Sequence, residues 1–329
     1  MAQVSKIKDT DYAYSVSRIH AVERSLLDSG KIMQIAEAKT AADALRMIYD
    51  AGYKAEEDYE ISFEQALDEA YSLVYSMAPE PEIFDVFLIE NDYYNLKVLL
   101  KAEFIGKNLD YLLSGRSRTS KDKLKEAVRE RRGGDISDIF ANAIDEALES
   151  FAKNKNAQLV DMIIDRACFE EMSKFAALSG NKFLMGLISM KIDLINIKTM
   201  IRLRRMEKDY AFAKRAMLEG GSIPSDTLAM GVGEAKDTLL QRFSSGKYAQ
   251  LIADAVSGEK DMAEFETACG DMLVEYMKSA KRVIFGAEPL IAYIFAKDNE
   301  IKQLRIIMVG KTNSMDSELI KRRLNIAYV

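Results

Sequence analysis

Three six-residue stretches share one order of chemical groups: DYYNLK at 92–97, DLINIK at 193–198 and EIKQLR at 300–305. Each sets an acid first, a carboxamide three residues on and a base five residues on. The sets are Asp92, Asn95 and Lys97; Asp193, Asn196 and Lys198; and Glu300, Gln303 and Arg305. On a helix the acid and the amide stand one turn apart on one face, where they can hydrogen-bond, while the base points elsewhere. Two roles fit this pattern. The polar groups can satisfy one another, or a neighbouring helix, at a packing junction that every copy preserves. Alternatively they form a ligand site used three times. The expectation is a structural junction facing the interior of each unit.

Other residues capable of chemistry are sparse. His20 is the only histidine, and with no nearby cysteine or paired acid it makes neither a zinc site nor a triad. VGKTN at 309–313 ends like a phosphate-binding loop, but Arg305 stands where that motif needs its first glycine. GVG at 231–233 lacks the third glycine of a dinucleotide fingerprint, and both stretches read as loop glycines. No catalytic residue, metal ligand or cofactor is therefore assigned. Lys198, Arg202, Arg205 and Lys208 form a basic stripe at helical spacing, followed by Lys214 and Arg215. Such a stripe is ordinarily a solvated helix face; the alternative is a docking patch for an acidic partner, carried by Arg202, Arg205 and Lys208. The 17 methionines read as adaptable core filler.

The three words recur inside longer apolar stripes. Tyr93, Leu96 and Leu100, then Leu194, Ile197 and Ile201, then Ile301, Leu304 and Met308 stand at matching spacings i, i+3, i+7 after their acid. Val86 and Ile89, Leu187 and Met190, and Ile294 extend the stripes backward, and Lys297 interrupts the third. A further helix is expected before each word, within 63–77, 158–178 and 263–283. The first helix is expected to carry Tyr12, Val16, Ile19, Val22 and Leu26 and to end near Gly30. A second should run from Thr40 to Gly52, and Ser62 with Gln65 suits a capping box for a third that Pro79 and Pro81 close. Glycine- and serine-rich joints are expected at 112–122 and 219–233, with a turn at RRGGD, 131–135. The word period is about a hundred residues, too long for a short solenoid repeat, so the plan reads as three helical units, 1–115, 116–219 and 220–329.

Composition agrees with an all-α chain. It has 329 residues, 48% hydrophobic and 30% charged, with only four prolines, enough to build a large core without disulfide or metal. Net charge is −6, which argues against general nucleic-acid binding. Cys168 and Cys269 form no paired motif and read as buried thiols of a reducing compartment. The N-terminal stretch lacks a signal's apolar region, and LIAYIFA at 290–296 is too short to span a bilayer, so a soluble protein is expected.

Taken together, YAYSVSRIHAVERSLLDSGKIMQIAEAKTAADALRMIYDAGY near the start, the three words, and the ending QLRIIMVGKTNSMDSELIKRRLNIAYV resemble a known family. It is the C subunit of archaeal and bacterial V-type (A-type) ATP synthases, related to the d subunit of the vacuolar ATPase. The resemblance spans nearly the whole chain and rests on the order of several segments. It implies an all-helical funnel of three similar units around a pseudo-threefold axis, without catalysis of its own. It further implies a rotor coupling that receives the D and F shaft subunits on one side and sits on the membrane proteolipid ring on the other, at the cytoplasmic face. That coupling serves ATP-linked H⁺ or Na⁺ transport with no direct bilayer span. A freestanding helical scaffold that binds proteins through a concave face is the alternative that the repeat alone allows.

Overall fold

The computed structural model describes residues 7–131 and 136–329, and every regular element among them is a helix. The first group comprises α1 (Ala13–Val22), α2 (Ser29–Ala36), α3 (Ala41–Asp50), α4 (Tyr59–Met77) and α5 (Val86–Ile105). Next come α6 (Lys121–Glu130), α7 (Asp138–Asn154), α8 (Ala157–Ser179), α9 (Lys182–Arg205) and α10 (Tyr210–Ala216). The chain continues through α11 (Ser225–Gly231), α12 (Lys236–Arg242), α13 (Ala249–Ser257), α14 (Met262–Lys278), α15 (Glu288–Thr312) and α16 (Ser317–Lys321). By contact it divides into two compact units, Ile83–Gln241 and a second formed by Met1–Glu82 with Arg242–Val329. The three words lie in α5, α9 and α15, three of the longest helices.

Local sequence explains most helix ends. Thr40 caps α3 by accepting the Asp43 amide at 3.1 Å, and Gly52 leaves it with φ +107°. Pro79 and Pro81 separate α4 from α5 as expected, because neither can donate to a continuing helix. Other ends differ from the sequence expectation. The first helix stops at Val22; an extended Leu26 and the cap of Asp28 on the Lys31 amide then begin α2, which contains Gly30. Ser62 is no cap. The acidic run supplies Asp58, which accepts from the Glu60 amide one turn earlier, leaving Ser62 buried inside α4 and Gln65 bonded to Glu56. The third pre-word helix ends at Lys278 and tightens into a 3₁₀ turn, Ser279–Arg282. Of the expected 131–135 turn, Arg131 adopts φ +56° and the other four residues lie outside those described.

Within the Ile83–Gln241 unit, α8 packs against α5, α7 and α9, and two residues of turn join α7 to α8. Within the other unit α15 is the axis, contacted by α1, α2, α3, α4, α14 and α16. There Ile301, Leu304 and Met308 of the third stripe share one core with Ile32, Ile35, Ile48 and Phe63. All three stripes are buried along their lengths, as their spacing requires. Glycines 231 and 310, expected in loops, end α11 and lie inside α15. A Cβ on Gly310 would come within 2.7 Å of Ile320, so the residue allows α16 to pack closely.

Truncating Leu304, fully buried, to alanine should cost about 2–5 kcal/mol of unfolding free energy. Urea denaturation checks this, and a negligible loss would show the third stripe to be loosely packed.

Candidate functional site: a repeated loop clamp

The acids and amides of the words are buried: Asp92, Asn95, Asp193, Asn196 and Gln303 are at most 1% exposed, and Glu300 is 4% exposed. They do not bond to one another. In the first copy Asn95 grips the backbone of Ser114 with both ends of its amide, accepting from its N–H at 2.8 Å and donating to its C=O at 3.1 Å. One turn back, Asp92 accepts from the Thr119 amide at 3.0 Å. The second copy repeats this. Asn196 grips the Leu218 backbone with two 2.8 Å bonds, and Asp193 accepts from the Ile223 amide at 2.9 Å and from the Ser222 hydroxyl. In both copies the gripped residues stand five apart, 114 and 119, 218 and 223. The loops clamped to the word helices thus cover only the leading part of each expected joint: α6 begins at Lys121, and α11 occupies 225–231 of the second. Gly221 belongs to the clamp, since a Cβ there would collide with the Asp193 carboxylate.

The third copy takes its loop from the other end of the sequence. Glu300 accepts from the amide of Leu27, in the extended break before α2, and from the Tyr53 hydroxyl at 2.6 Å. Lys297, the residue that breaks the third stripe, lies 2.7 Å from Glu300 and donates to the Tyr53 hydroxyl at 3.0 Å. Burial first, then the Glu300 charge, raises the Tyr53 pKa far above the usual phenol range. Lys297 thus compensates a carboxylate that would otherwise be stranded.

The bases point to neighbouring helices. Lys97 meets Asp165 on α8 at 2.5 Å, and Arg305 spans Glu60 and Glu64, one turn apart on α4, at 2.8 and 2.6 Å. Lys198 is half-buried. Arg202, Arg205 and Lys208 are exposed, and the Lys208 ammonium lies over the Phe212 ring, 5.5 Å from its centroid. Arg204, absent from the expected stripe, instead turns inward and donates to the carbonyls of Gly231, Val232 and Glu234 beyond the end of α11.

Sequence reasoning also missed an ionic cluster behind the first clamp. Glu171 on α8 receives Arg118, the Tyr93 hydroxyl at 2.7 Å and the Ser137 hydroxyl at 2.6 Å. Burial pushes its carboxyl up, but donation from Ser137, Arg118 and Tyr93 outweighs this and holds the pKa below the ordinary value. Asp92, 3.4 Å from Arg118, behaves oppositely. Its pKa is pushed up to about 6 by burial, against the pull of the Thr119 amide and Arg118. Ser137 is engaged twice, since it also caps α7 by accepting from Phe140. These groups hold one another and the clamped loop. His20 lies 3.0 Å from Glu23, both cysteines are buried and outside any disulfide, and no group of three metal-ligating side chains occurs among the described residues.

Asn196→Leu should lower thermal stability, because it strands a buried N–H and C=O at a cost of about 1–3 kcal/mol for each group. An unchanged melting temperature accompanied by lost partner binding would reverse this assignment. Asp92 supplies a pH test. Because its folded pKa lies above its ordinary 3.8, its contribution to stability is full below that value and is lost as pH rises through about 6. The stability of wild type relative to Asp92→Asn should therefore fall by up to about 3 kcal/mol between roughly pH 4 and pH 7. A difference independent of pH would contradict it.

The chain matches the model of the ATP synthase (C/AC39) subunit family over residues 15–323. It is 30% identical over 282 residues to the C subunit of the V-type sodium ATPase of Enterococcus hirae, covering 85% of each chain. It is 27% identical over 335 residues to the C subunit of the A-type ATP synthase of Thermococcus gammatolerans, covering 95% of this chain and 90% of that one. With the corresponding A-type ATP synthase C subunit of Methanocaldococcus jannaschii it shares 24% over 346 residues, 95% and 86% of the two chains. Among the described residues no helix is long and apolar enough to cross a membrane. The all-helical fold, the thrice-written word and a match over nearly the full length place this chain in the ATP synthase (C/AC39) subunit family, among the C subunits of V/A-type rotary ATPases.

Proposed function

We propose that the protein is a non-catalytic rotor subunit of the central stalk. It joins the shaft formed by the D and F subunits to the proteolipid ring and so links ATP turnover to H⁺ or Na⁺ movement at the cytoplasmic membrane face. In this reading three helical units, 1–115, 116–219 and 220–329, surround a pseudo-threefold axis as a funnel. Family membership carries the proposal, and the clamp supports it physically. A torque coupling needs connections that do not slip, and each word fastens the loop beyond its own helix, or the N-terminal loop in the third copy, with buried, charge-assisted hydrogen bonds. Chemistry is not required of it.

For docking, the reading uses the exposed stripe of Arg202, Arg205 and Lys208. Arg202 borders a groove of about 390 Å³ whose other walls include Met162, Phe169, Leu203, Met206 and Phe212. An apolar centre rimmed by charge is the composition of a persistent protein interface. At the matching register on α15, Lys302, Ile306, Val309 and Gly310 border another groove, of about 660 Å³.

Copurification or native mass spectrometry with shaft and ring proteins should recover a stoichiometric assembly; consistent failure to join either would sink the proposal. Reversing charge at Arg202 and Arg205 should weaken assembly and flatten its salt dependence while leaving the melting temperature in place. Unchanged assembly would remove the stripe from the interface.

A further inference from the structure

The third clamp is incomplete in a way the first two are not. Gln303 stands where Asn95 and Asn196 grip a loop backbone, yet neither its amide oxygen nor its amide nitrogen has a protein partner, although the residue is 1% exposed. The register explains the difference. In the first two copies the amide grips the residue five before the one held by the acid. Five before Leu27 is Val22, the last residue of α1, whose carbonyl already accepts from the Ser25 hydroxyl at 2.7 Å. The residue at the register of the first two grips is thus the end of a helix and not part of an open loop, and the Gln303 amide makes no such grip.

Beside it lies a cavity of about 10 Å³. It is bounded by Leu26 and Leu27 from the N-terminal segment, Glu300 and Gln303 from α15, and Ala327 and Tyr328 from the C-terminal tail. A buried amide with two unmet hydrogen-bonding ends is costly, and a polar cavity of about one probe sphere, roughly 10–15 Å³, holds a single water. We propose that Gln303 binds one structural water, which replaces the backbone grip of the first two clamps and seals the N-terminal segment and the C-terminal tail onto the third word helix. Its amide nitrogen donates to the water and its oxygen accepts from it or from a second polar neighbour. Tyr328 of the tail walls the same cavity, while its hydroxyl stands beside the Glu23 carboxylate. Glu300 accepts from Leu27 and Tyr53 and is paired with Lys297, so the site has no uncompensated negative charge that would select a cation instead.

A crystal structure of the full chain at a resolution that shows ordered solvent decides the matter. The expected result is one isolated water peak within hydrogen-bonding distance of the Gln303 amide and at least one further protein atom. Gln303→Met, of similar volume but without the amide, should lose that peak and, in oxygen-17 relaxation dispersion, one long-lived water. A dry cavity, an amide turned to bond a protein group directly, density that refines as an ion, or a peak unchanged in the variant would each overturn the proposal. Should the variant fail to fold, the wild-type density still decides.

Discussion

The fold depends on a carboxylate and an amide set one turn apart on a buried helix face and aimed at the backbone of a loop. Backbone N–H and C=O groups taken out of water must be paired, and a returning loop has no ladder of its own in which to pair them. Asn95 and Asn196 meet this need with a two-bond grip on one residue, and Asp92 and Asp193 hold a second residue five positions on. Two points fix both the position and the direction of the loop, which one hydrogen bond would leave free to pivot. The loop then delivers the next helix in a defined place, α6 after Thr119 and α11 after Ile223.

The third word extends this logic to the ends of the chain. By holding Leu27, 273 residues away, Glu300 makes the break between α1 and α2 serve α15 as the internal loops serve α5 and α9. A longer acid and a longer amide replace Asp and Asn here, and a lysine interrupts the stripe, so the copy looks degenerate in sequence. The geometry gives these changes a common cause. The partner loop now arrives from outside the local sequence, the acid also receives Tyr53, and Lys297 balances the buried charge. The N-terminal segment thereby packs around α15, in a core shared by Ile35, Ile48, Leu304 and Met308.

Much of this was legible in the residues. The stripes at i, i+3, i+7 name the buried face of each word helix, and Thr40 and Gly52 mark both ends of α3 because caps act through their own side chains. The clamp's targets were not legible, for a physical reason: Ser114, Thr119, Leu218, Ile223 and Leu27 take part through backbone atoms, which every residue carries. Gly221 and Ser222 were the clues, since the close approach of Asp193 leaves no room for a Cβ at the first and takes a hydroxyl donor from the second. The Ser62 cap failed because an acid four residues earlier offered an equivalent carboxylate first. Glu171 escaped notice because one of two adjacent glutamates on a helix looks solvated until Arg118, Tyr93 and Ser137 are seen around it.

Amide hydrogen exchange at five loop positions, followed residue by residue in the full chain, tests the clamp most directly. The N–H groups of Leu27, Ser114, Thr119, Leu218 and Ile223 should exchange as slowly as those in the centres of α5, α9 and α15, because they open only when the words do. Exchange at the rate of exposed loop amides would show that the words do not hold these loops and that the recurrence of acid and amide has another cause.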